Sequence, residues 1–167
     1  MVGLSPSEIG RTAVTTFDPQ GFFSLGQRLV TSNSGDEAEL RTAVGRAYYA
    51  CFLTARDQLF GIDGRRLTPS VRKRLNPRRK KNVGSHEVII LALSMNKSVR
   101  RAVAKRLSDQ LAELKDMRIQ ADYIRDPTDQ RTTTVFARYA VSDWLGVAHH
   151  AMTLASNLFP DLRKISP

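Results

Sequence analysis

Leu40-Arg-Thr-Ala-Val-Gly-Arg-Ala-Tyr-Tyr-Ala-Cys-Phe-Leu-Thr-Ala-Arg-Asp-Gln-Leu-Phe60 carries the repeat that sets the fold class. Leu40, Val44, Ala47, Cys51, Ala55 and Leu59 recur every three or four residues, so on a helix they form one apolar stripe. Arg46, Tyr49, Leu53 and Arg56 form a second stripe on another face. Upstream, Ser34-Gly-Asp-Glu37 has the S-x-x-E form of a capping box and predicts where this helix opens. Downstream, Gly61-Ile-Asp-Gly64 predicts its end.

The same pattern extends in both directions. Asp18-Pro19 looks like an N-cap followed by a first-turn proline, predicting a short helix to about Val30 that buries Phe22, Phe23, Leu25 and Leu29. Further helices are expected over about 86–94, 97–123 and 132–158. The 97–123 stripe is Val99, Val103, Leu107, Leu111, Leu114, Arg118 and Ala121. In the last helix Phe136, Ala140, Trp144, Val147, Ala151, Leu154 and Leu158 should face inward, with Pro160 as the stop. Asp126-Pro-Thr-Asp129 separates the last two helices. No stretch alternates as a strand does. The expected architecture is all-α, an antiparallel up-and-down bundle of about five helices. Residues 1–17 read as a loose leader, 18–160 as one helical domain and 161–167 as a tail.

Charge is the second signal. Lys and Arg outnumber Asp and Glu by 26 to 16, for a net charge of +10. Such an excess favours polyanionic partners. Residues 61–83 read as a basic loop, with nine positive charges and no acid between Arg65 and Lys81. Arg72, Lys73, Arg74, Arg78, Arg79, Lys80 and Lys81 are its candidate RNA-binding residues. Pro69 and Pro77 argue against one continuous helix there, leaving room for a helical turn between them. The loop has no aromatic residue, so electrostatic contact is expected rather than base stacking.

The longest apolar run, Val88 to Leu93, is far short of a membrane span, and the N-terminus lacks a secretory pattern. Cys51 is the one cysteine. A cytoplasmic protein with no membrane association is the expectation. One cysteine and three histidines suggest no metal site, no cofactor motif is present, and adjacent His149 and His150 diverge on a helix.

Arg118 is the residue that packing alone does not explain. Helical spacing points it where Leu107, Leu111 and Leu114 point, and a guanidinium there needs a partner. Asp122, four residues on, is the natural one, which makes a structural ion pair the plainest reading. Tyr48 belongs with the core stripe. Tyr49 aligns with Arg46 and Arg56 as a supporting or interface face, and His86 reads as a helix-start residue.

Three blocks resemble one family. Arg41 to Arg56, containing Arg46-Ala-Tyr-Tyr-Ala-Cys-Phe52, is similar to the "SRAYYAxF" pattern of HEPN domains. His86-Glu-Val-Ile-Ile90 resembles that family's "HxxVI" helix start, and Leu114 to Tyr123 its "LRxxRxxADY" segment. The blocks stand in the family's order and, with the helices between them, span about residues 20–160. The resemblance implies a bundle that pairs as a homodimer. In the family's ribonucleases, that pairing brings two R-x4-6-H motifs into one cleft for metal-independent RNA cleavage. It makes Arg118, Asp122 and Tyr123 the candidate catalytic residues. Tyr123 stands five residues after Arg118, where a histidine is expected, and a tyrosine is a weak base at neutral pH.

Three functional readings follow. One is an RNA-directed toxin- or defence-associated protein that binds RNA phosphates and cleaves RNA. Another is a non-catalytic module for dimerisation and for binding RNA or a partner protein. The third is a toxin whose cognate antitoxin is a nucleotidyltransferase.

Overall fold

The computed structural model describes residues 18–32, 35–61, 64–75, 84–123 and 143–165. These form six helices and no strand: α1 (Pro19–Thr31), α2 (Glu37–Phe60), α3 (Pro69–Leu75), α4 (Ser85–Ser94), α5 (Arg101–Tyr123) and α6 (Trp144–Leu162). The protein is an all-α helical bundle. The expected 1–17 leader lies outside the described residues.

α2 is the central helix. α1, α4, α5 and α6 all pack on it, while α3 packs on α4. The stripe read from the sequence is the reason. Leu40, Val44, Ala47, Cys51 and Ala55 are buried, and Tyr48 on the same side is fully enclosed. Apolar area removed from water by these residues is the main favourable contribution to docking. α2 opens differently from the expected capping box. Its N-cap is Asp36, whose carboxylate accepts a 2.8 Å hydrogen bond from the Ala38 N–H, so Glu37 starts the helix instead of standing at its third position. At the other end Gly61 takes φ +77°, a conformation that side-chain-bearing residues rarely adopt, and the chain leaves the axis.

α1 begins as expected, with Asp18 capping the Gln20 N–H at 2.9 Å. It approaches α2 and α6 closely at Gly26, where an added Cβ would stand 2.9 Å from Met152 Sδ and 3.3 Å from the Ala43 carbonyl oxygen. α3 supplies the helical turn anticipated inside the basic segment.

α5 starts at Arg101 instead of Lys97. The Asn96 carboxamide oxygen accepts from the Ser98 N–H at 2.7 Å and from the Ser98 hydroxyl at 2.6 Å, holding a bend that competes with helix. Its inner face buries Leu107, Leu111, Leu114, Met117 and Ala121, while Val99 and Val103 are only partly covered.

The last helix was expected from 132. Residues 132–142, with Phe136 and Ala140, lie outside the described residues. α6 opens at Trp144 with Asp143 capping the Gly146 N–H at 2.8 Å. Pro160 does not stop it; the helix runs on to Leu162. A proline this near the end removes one backbone hydrogen bond. Burial of Leu162 and Ile165 in the same core as α2 favours continuing, so 161–165 belongs to the bundle rather than to a tail.

Candidate functional site

α5 places Arg118 on the line of its buried leucines, one turn past Leu114. Its side chain is 17% exposed. Asp122, one turn further, sets Oδ2 2.6 Å from Nε. The Nε–H is buried and not well aligned on an acceptor among the described residues, so the contact with Asp122 is chiefly an ion pair. Nη2 donates to the Tyr49 hydroxyl of α2 at 3.1 Å. The guanidinium carbon lies 5.4 Å from the Tyr49 ring centroid and 5.2 Å from that of Tyr123. The cation thus lies within cation–π reach of two aromatic rings. Desolvation pulls its pKa down, but Tyr49, Asp122 and Tyr123 together pull it further up. The expected Arg118–Asp122 pair is present. Tyr123 is 68% exposed at the end of α5.

The second α2 stripe lies beside this site. Arg46, one turn before Tyr49, sets its guanidinium 4.8 Å from the centre of the Phe22 ring, and Phe22 lies 6.1 Å from Tyr49. Arg46 Nε is likewise buried without an aligned acceptor. Arg41 fastens α2 to the end of α5 by donating from Nη1 to the Ala121 carbonyl at 3.2 Å.

His86 is in the first turn of α4, as its reading as a helix-start residue required, yet it also reaches this neighbourhood. Its ring stacks on Phe52 at 4.4 Å and on Tyr48 at 5.6 Å, and meets Tyr49 edge-on at 6.3 Å. Its Nδ1 is hydrogen-bonded to the Tyr48 hydroxyl. Burial pushes the Tyr48 pKa well up, keeping that hydroxyl protonated. Burial, then Arg118 and Lys115, lower the His86 pKa. A neutral pair follows, and we assign donation from Tyr48 to Nδ1, which leaves the imidazole proton on Nε2.

In the sequence His86 and Tyr48 stand far from Arg118 and share no motif with it. The signal that joins them is the buried tyrosine itself, because an enclosed phenol needs a hydrogen-bond partner and α2 offers none on that face.

The basic residues divide. Lys73 and Arg74 of α3 are exposed. Arg72 is half-buried and donates from Nη2 to the Ser85 hydroxyl at 3.3 Å. Arg78, Arg79, Lys80 and Lys81 lie outside the described residues. Among the described residues no three His, Cys, Asp or Glu side chains gather as a metal site would require, and no helix is long and apolar enough to cross a membrane.

The arrangement is suited to an oxyanion. It offers a guanidinium held in place by Asp122 and Tyr49 and flanked by the Tyr49 and Tyr123 rings, the latter exposed. No family model, curated protein or solved structure matches the chain.

Proposed function

We propose that this chain is an RNA-directed, HEPN-like protein of the toxin- or defence-associated kind, and that it holds RNA phosphate at Arg118. The observation that supports the reading is the two-ring setting of that arginine. A purely structural ion pair explains Asp122 but not a cation within reach of both the Tyr49 and Tyr123 rings, one of them largely exposed. In this reading Lys73 and Arg74 extend the electrostatic track along α3, with Arg78 to Lys81 continuing it in sequence. A homodimer would set two copies of the arginine facing one strand, and a cognate antitoxin or defence-system protein would be its partner.

A second reading, metal-independent cleavage, is favoured by His86. It stands next to Tyr49, which also binds Arg118, so a titratable imidazole lies close to the arginine although Tyr123 occupies the motif position. To act as a base, His86 would have to shift its proton to Nδ1, with Tyr48 turning from donor to acceptor.

Structured and unstructured RNA, incubated in EDTA with the protein and with Arg118→Ala, separates these readings. Binding should fall at least ten-fold in the variant, and cleavage in EDTA that the variant loses would establish the enzyme. Equal binding by both proteins would remove Arg118 from the interface. Binding without cleavage would leave a non-catalytic module.

A further inference from the structure

Beside Tyr49 a cavity of about 320 Å³ opens between α2, α3 and α4, with no described residue of α5 in its lining. Its polar and aromatic lining comprises Tyr49, Phe52, Arg56, Arg72, Ser85 and His86, and among the described residues no carboxylate lines it. We infer that this pocket is a binding site for a phosphate monoester, either the terminal phosphate of an RNA or a free mononucleotide.

Convergence is the first argument. Three helices each contribute at least one basic or polar group to a single small volume. Arg72 leans from α3 onto the start of α4, where its 3.3 Å contact with the neutral Ser85 hydroxyl is weak enough to exchange for an anionic oxygen. Arg56 enters from α2 with its Cγ and Cδ against Gly64; a Cβ there would stand 3.2 Å from both atoms. Its Nε is engaged by Asp57 at 2.7 Å, which holds the side chain in place, and Asp57 itself does not line the cavity. His86, protonated on Nε2, adds a neutral donor. The α4 N-cap, Gly84, provides no side-chain hydrogen bond, so the first N–H groups of that helix are not capped from within.

Charge and size narrow the ligand. Arg72, Ser85 and His86 beside the α4 N-terminus offer more donors than the two free oxygens of an internal phosphodiester accept, and they match the three terminal oxygens of a monoester. The apolar wall of Phe52, Leu67 and Ile89 leaves room for an attached sugar or base. The volume is at the lower end for small-molecule sites, roughly 300–1,000 Å³, which suits one nucleotide and not a strand passing through.

The full-length protein can be titrated with one oligoribonucleotide sequence bearing a 5′-phosphate, a 3′-phosphate or hydroxyls at both ends, and separately with AMP and inorganic phosphate. At least one phosphorylated end, or AMP, should bind roughly ten-fold tighter than its unphosphorylated counterpart, adenosine for AMP. Arg72→Ala should abolish the difference, whereas Arg28→Ala removes the same charge from an exposed position on α1, outside the pocket, and should retain it. Preference for an RNA end with weak AMP binding identifies the RNA source; AMP binding as tight as either end identifies the free nucleotide. Loss of all RNA binding with Arg72-dependent AMP binding would overturn the proposed RNA function and leave this site standing. No preference for any phosphorylated ligand, or a preference that survives Arg72→Ala, would overturn the site.

Discussion

His86 couples the stability of the bundle to pH. Burial, Arg118 and Lys115 lower its pKa below the ordinary 6.5. The unfolded chain therefore takes up a proton at a higher pH than the folded one does. The stabilising contribution is fully present above about pH 6.5 and is lost as pH falls through the lower folded value. Urea unfolding at pH 7.5 and 5.0 should show a drop for the wild type and a smaller one for His86→Gln, which keeps an acceptor for Tyr48. An equal drop in both proteins would assign the acid sensitivity elsewhere. The residues around this imidazole also show what one-dimensional reading reaches. The Arg118–Asp122 pair was legible because both members are on one helix at i,i+4 spacing. The Tyr48–His86 bond was not, because 38 residues separate its members and their meeting depends on how α4 crosses α2.

At the scale of elements, the contact of α1 with α2 and α6 depends on Gly26. Alanine would gain helix propensity, about 1 kcal/mol, but its Cβ meets Met152 Sδ at 2.9 Å and a backbone carbonyl at 3.3 Å. The thioether can move; the carbonyl is fixed in α2. Gly26→Val adds two further carbons to that gap and should cost about 1–3 kcal/mol, lowering Tm by roughly 3–10 °C. Calorimetry showing an unchanged Tm would mean that α1 repositions freely. Periodicity was a good guide to where α2 and α5 face, since Leu40 to Ala55 and Leu107 to Ala121 are buried in the order the stripes require. It was a poor guide to ends. Asn96 delays α5 through a side-chain bond, and Leu162 and Ile165 draw α6 past Pro160 by burial, neither of which a 3.6-residue period contains.

For the molecule as a whole, the net charge of +10 bears on binding more than on fold. Neutralising Arg72, Lys73 and Arg74 together should reduce the salt dependence of RNA affinity by roughly two units of log K per log salt, at about 0.7 per phosphate contact on single strands. Fluorescence anisotropy between 50 and 200 mM salt measures this, and an unchanged slope would remove α3 from the RNA track. Overall basicity was plain in the sequence. The division of the basic segment was not, because Arg72 turns inward to Ser85 while Lys73 and Arg74 face solvent. Light scattering at micromolar concentration tests the pairing, and a monomer would undercut a shared cleft.

Cys51 sits in the middle of α2, fully enclosed, with its Sγ 3.9 Å from the Ala155 carbonyl of α6 and its thiol pKa pushed well up by burial. As the sole cysteine of the chain, it is an intrinsic clock for opening of the bundle. A disulfide reagent should react with it in the native protein slower than in urea by a factor on the order of 10³ or more, set by how rarely α2 and α6 separate. Gly26→Val should shorten that time about ten-fold for each 1.4 kcal/mol of lost stability if the whole bundle opens as one unit; an unchanged rate would mean that α1 detaches while the α2–α6 contact stays closed.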